Sequence, residues 1–122
     1  KKCKYIEMIQ NIVAYIYSIT GLIFFVAWQT NFSLTKYLLK EKNLKKAFYV
    51  DLFLACLLIF AYFLSPSSIF LLLLIIHFGN MITYLFMKDQ IVDSMEVISS
   101  QLMEIITISF YLVAGFLVIV FK

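Results

Sequence analysis

Residues 67–87 read SSIFLLLLIIHFGNMITYLFM. No lysine, aspartate or glutamate interrupts them, and at 1.5 Å per residue a helix of that length spans about 31 Å, close to the hydrocarbon thickness of a bilayer. Helix is the form such a segment must take in lipid, because a lone segment can satisfy its backbone N–H and C=O groups only internally. Just upstream, Ser65-Pro66 marks a sharp break. Proline removes a donor and disfavours helix in the residue before it, while Ser67 or Ser68 can cap the helix that follows. A break this short predicts a tight helical hairpin with the preceding apolar stretch.

Three further apolar stretches extend the pattern: Tyr5–Trp28, Ala47–Leu64 and Val97–Phe121. The second is the shortest and carries Asp51 near its start. Across the 122 residues, 64% are hydrophobic and 14% charged, with a mean hydropathy of +0.99. A soluble domain holds roughly 45–50% apolar and about 25% charged residues. The expectation is therefore an all-α integral membrane protein, with three to four transmembrane helices bundled in a single domain over residues 1–122. Secreted disulfide scaffolds, disordered tails and ordinary soluble enzymes are excluded. Three glycines and one proline are too few for the turns of a β-barrel.

Between the first two spans, residues 29–46 read QTNFSLTKYLLKEKNLKK. Apolar residues alternate there with Lys36, Lys40, Lys42, Lys45 and Lys46, as in an amphipathic helix lying at the interface; a helical extension of the first span into water fits equally. Residues 88–96 form a short, water-facing connection. All ten basic residues are lysines, against seven acids, and they flank apolar segments, which suits membrane ends and argues against a nucleic-acid partner. With four spans, the two lysine-bearing loops share one side, favoured as cytoplasmic or matrix-facing. Cys3 and Cys56 with one histidine cannot build a zinc site, and no disulfide is expected.

Polar residues inside apolar helices mark either a helix contact or a site. In the first span Glu7, Asn11, Ala14, Ser18 and Gly21 fall on one stripe, suited to close packing or, at Glu7 and Asn11, to a quinone headgroup or lipid. The last span places Ser100, Glu104, Thr107, Tyr111, Ala114 and Val118 on one face, with Glu104 either hydrogen-bonded to a neighbour or part of a proton relay. Asp51 reads as structural, within reach of the interface or a lysine. His77, the one histidine, lies midway along its span, with Asn80, Met81 and Tyr84 on its side; it is either a packing residue or an axial haem ligand.

Three segments in order resemble the membrane-anchor cytochrome b subunit of succinate dehydrogenase, respiratory complex II. The first is Ala14-Tyr15-Ile16-Tyr17-Ser18-Ile19-Thr20-Gly21. It keeps that family's Thr-Gly pair, but Tyr17 and Ser18 stand where the family has His-Arg, and Ala14 replaces its serine. The second is Ile75-Ile76-His77-Phe78-Gly79-Asn80-Met81, followed by Asp89. The third is Leu112–Val118, near the end of the last helix. The family has three spans, against four here.

That resemblance implies a divergent anchor subunit. It would tether a soluble flavin and iron–sulfur dehydrogenase, contact other membrane subunits and lipids, and help form a quinone region in the mitochondrial inner membrane or a bacterial plasma membrane. His77 would be the candidate ligand for a haem b shared with a partner subunit, and Ser18 would lie in the ubiquinone region. The alternatives are a structural accessory subunit of another respiratory or ATP-synthase complex, and a small ion-coupled transporter with Asp51 and Glu104 as coupling carboxylates. Against the transporter, the chain shows no evident internal repeat.

Overall fold

The computed structural model describes residues 2–121. Six α-helices and one 3-10 turn follow one another: α1 (Lys2–Gln29), α2 (Leu34–Leu38), the 3-10 turn (Glu41–Asn43), α3 (Leu44–Leu64), α4 (Ser68–Phe86), α5 (Lys88–Val97) and α6 (Ser100–Val120). There is no strand among the described residues. Helices α1, α3, α4 and α6 are long and apolar enough to cross a membrane, and together they form an all-α integral-membrane bundle. Helix α3 starts three residues before Ala47, and its 21 residues give about 32 Å, a full crossing.

The distribution of side chains inverts that of a soluble domain. Phe53, Phe63, Ile75, Phe86 and Phe116 are exposed, whereas Gln10, Asp51, His77 and Glu104 are buried. Charged groups are almost never fully buried in a soluble protein unless paired, and so wide an exposed apolar surface requires a nonpolar surround.

Helices α1 and α6 pack antiparallel, and α3 pairs with α4 across the Ser65–Ser67 turn. The first pairing rests on small residues. A Cβ added at Gly115 would come within 2.9 Å of Ser18 Oγ and 3.1 Å of the Ala14 carbonyl oxygen, and one at Gly21 would meet Leu112 at 3.1 Å. The polar stripes of the first and last spans thus largely face each other within this chain. Glu7, at the outer end of its stripe, is exposed.

With four crossings, the termini and the Ser65–Ser67 turn sit at one end of the bundle, and α2, the 3-10 turn and α5 at the other, here called the loop end. Helices α1 and α4 consequently run in the same direction. Ser67 occupies the N-cap position of α4 without making a side-chain cap; its hydroxyl donates instead to the Phe121 carbonyl at 3.2 Å, pinning the hairpin turn to the end of α6.

Residues 29–46 form neither one interfacial helix nor a continuation of α1. Helix α1 stops where Asn31 adopts a left-handed φ of 64°, a conformation that asparagine tolerates better than most residues. Ser33 then caps α2 by accepting from the Lys36 N–H at 3.3 Å. The five residues of α2 fold back against α6 and α3. Asn43 Nδ2 donates to the Tyr37 carbonyl at 2.8 Å, and Lys46 Nζ donates to the Tyr37 hydroxyl at 2.9 Å. That hydrogen bond and the charge of Lys46, aided by Lys42 and Lys40, hold the Tyr37 phenol below its ordinary pKa. Residues 88–97 are helical, as α5, with no buried side chain.

Candidate functional site

Three helices bring their polar residues together in the middle of the bundle. His77 sits at the midpoint of α4 and is fully buried. Its Nδ1 lies 2.6 Å from Asp51 Oδ1 of α3, and its Nε2 lies 2.6 Å from the Tyr17 hydroxyl of α1. Asn80, one turn along α4, donates from Nδ2 to the same Asp51 oxygen at 3.4 Å. Tyr17 is fully buried as well, and its ring lies against those of His77 and Tyr111.

Hydrogen-bond accounting assigns the protons. A buried hydroxyl without an acceptor is costly, and the hydrogen bond recorded for the Tyr17 hydroxyl is to His77 Nε2. Tyr17 therefore donates, Nε2 accepts, and the imidazole proton sits on Nδ1, which donates to Asp51.

Asp51 keeps 7% of its side chain exposed, and that edge belongs to a cavity of about 290 Å³ at the loop end of the bundle. Asn80, Tyr84, Thr107 and Thr35 supply its other polar groups, and Phe24, Phe110 and Tyr111 most of its aromatic wall. Leu38, the last residue of α2, and Leu39, its C-cap, line it on the loop side. No cationic side chain lines it among the described residues. Its size lies near the lower bound for small-ligand pockets, roughly 300 Å³.

Glu104 is also fully buried, and it does a different task. Its Oε1 accepts from Ser33 Oγ and from the Thr35 N–H, both at 2.8 Å, and so satisfies a free N–H in the first turn of α2. Thr35 Oγ1 donates to Thr107 Oγ1 at 3.0 Å, adding a second tie between α2 and α6. Glu104 Oε2 is buried without a hydrogen-bond partner.

Measured against expectation, His77 lies at the centre of the site, but Ser18 does not line the cavity; its hydroxyl packs beside Gly115. Asp51 pairs with His77 rather than with a lysine. Asp89 lies exposed in the first turn of α5. Haem b would require a free imidazole nitrogen for its iron. Both nitrogens of His77 are engaged, at 2.6 Å each, and the ring has no exposed surface, so the residues as arranged do not fit an axial haem ligand.

Sequence reasoning missed Tyr17 as a partner of His77 and Asp51 as the group that reaches the cavity. Compared with known protein families, curated proteins and solved structures, the chain matches none.

Proposed function

We propose that this chain is a small ion-coupled transport protein in which Asp51 alternates between holding a proton and holding a ligand. The carrying observation is a carboxylate at a cavity wall within the span, with one oxygen fixed by His77 and Asn80. Ionisable groups at membrane depth are expensive and mark substrate or ion pathways. No lysine lines the cavity among the described residues, so a ligand can supply the charge that compensates Asp51. In the proposed cycle the carboxyl holds a proton when the cavity is empty and gives it up when a ligand compensates the charge. Tyr17 and His77 orient the carboxyl at the cavity wall, and Tyr84 also hydrogen-bonds to it. A bilayer that sustains a proton gradient, the mitochondrial inner membrane or a bacterial plasma membrane, is the setting in which this exchange does work.

The test uses proteoliposomes with a pH-sensitive dye trapped inside and small cations, anions and neutral solutes added separately. At least one class should change the internal pH, and Asp51→Asn should abolish the response. Silence for every class would overturn the proposal.

A second reading, the anchor subunit of a succinate dehydrogenase-type complex, draws on the lysine-rich loop end, where Lys36, Lys40, Lys42, Lys45, Lys46 and Lys88 offer a docking face for a soluble dehydrogenase. In that reading ubiquinone would occupy the same cavity and supply a reducible ring. Asn80, Tyr84 and Thr107 would donate hydrogen bonds to its carbonyls. Purification in mild detergent separates the two: flavin and iron–sulfur subunits accompany an anchor and are absent from a transporter.

A further inference from the structure

We infer that the interior cavity takes a monovalent organic cation, an amine or quaternary ammonium bearing one ring or a branched alkyl group. This rests on the transport proposal for the same site and adds the class of ligand. The cavity wall combines one carboxylate, Asp51, with the rings of Phe24, Tyr84, Phe110 and Tyr111, and it has no lysine among the described residues. A largely buried carboxylate with no lysine beside it is stabilised by whatever positive charge the ligand brings. Aromatic faces within about 6 Å of a cation add to that attraction and favour weakly hydrated charges over small, strongly hydrated ones. Each feature penalises an anion, and a neutral solute uses only the apolar part of the wall.

The volume of about 290 Å³ admits one substituted ammonium and excludes large polycyclic dyes. Leu38 and Leu39, at the end of α2, line the loop side of the cavity, and Glu104 holds α2 in place through Ser33 and Thr35. Glu104 lies outside the cavity lining and acts on the ligand only through α2.

Binding is linked to protons through Asp51. The titratable groups that bear on its carboxylate are His77 and Tyr84 from α4, Tyr17 from α1 and Tyr111 from α6. Asp51 is the one among them positioned to exchange a proton for the cation, because His77 is held between two hydrogen bonds and the phenols are uncharged donors. The step balances: the carboxyl O–H bond breaks, the proton leaves to solvent, and the cation takes its place beside the carboxylate. Proton and cation then compete for one carboxylate, so lower pH should weaken cation binding.

The experiment is calorimetry on the full chain in lipid nanodiscs with three probes of similar ring size: benzyltrimethylammonium, benzenesulfonate and benzyl alcohol. Expected is saturable binding of the cation, at least tenfold tighter than either other probe and weaker at lower pH. Asp51→Asn should reduce cation affinity at least tenfold, while Glu104→Gln should leave it within about threefold. Equal affinities for the three probes, or preference for the anion, would overturn the inference, and that comparison needs no variant. The two proposals fail separately. Cation binding with no pH response in any proteoliposome run sinks transport and leaves the ligand class. A pH response driven only by anions or neutral solutes sinks the ligand class and leaves transport.

Discussion

Asp51 and Glu104 are the two carboxylates buried among the described residues. Each lies close to the loop end, seven residues into α3 and four into α6. Their surroundings give them opposite work. Glu104 spends one oxygen on two donors from α2 and packs its segment shut. Asp51 spends one oxygen on His77 and Asn80 and keeps an edge in a cavity. What a buried acid does in a membrane is thus set less by its depth than by whether its free oxygen faces protein or space.

The largest expected difference follows directly. Asp51→Asn should abolish cation-driven proton release while leaving the thermal unfolding midpoint in detergent close to that of the parent, since the amide can still accept from His77 Nδ1–H through its carbonyl oxygen. Glu104→Ala should do the reverse. It strands the Ser33 hydroxyl and the Thr35 N–H, at a cost of about 1–3 kcal/mol, read as a lowered midpoint and as faster hydrogen exchange confined to residues 33–38. If both substitutions lowered stability equally and neither changed proton release, the contrast between the two acids would be lost.

Tyr17→Phe probes the support behind Asp51. Without the phenol, Nε2 loses its donor and the tautomer is no longer fixed, so cation affinity should fall several-fold and the pH profile should shift, with the fold retained. An unchanged pH profile would show that Tyr17 merely fills space.

Smaller effects separate the two faces of the bundle. Gly115→Ala forces a methyl against Ser18 Oγ and the Ala14 carbonyl; overpacking of this kind costs about 1–3 kcal/mol. Gly79→Ala meets nothing within 4 Å and should be neutral or stabilising by up to about 1 kcal/mol from helix propensity. Equal midpoints for the two glycine variants would contradict the close α1–α6 approach.

Much of the architecture was legible in the sequence. Residues 67–87 and their three counterparts gave four apolar runs of membrane-spanning length, and Ser65-Pro66 marked the hairpin. The start of α3 was not, because Leu44, Lys45 and Lys46 continue the helix with charges that snorkel rather than stop it. The folding of residues 29–46 was also hidden, since it depends on Asn31 turning left-handed and on Glu104, some seventy residues away, completing the cap of α2.

The Asp51–His77 pairing carried a signal that composition alone obscures. In a hairpin centred on Pro66, facing positions sum to about 132. That puts Asp51 opposite Met81 and within about one turn of Asn80, His77 and Tyr84. Tyr17 gave no such local signal, because its meeting with His77 depends on how α1 packs against a hairpin it does not belong to. The small residues of α1 and α6, read as faces for other chains or for one another, are largely consumed by the α1–α6 contact.

The most direct measurement is the number of protons released per cation bound, obtained by repeating the benzyltrimethylammonium titration in two buffers of different ionisation enthalpy. At a pH where the empty site holds its proton and the cation-bound site does not, the account predicts release approaching one proton per bound cation, falling to none in Asp51→Asn. Tight cation binding with no proton release at any pH would contradict the exchange on which the proposed function stands.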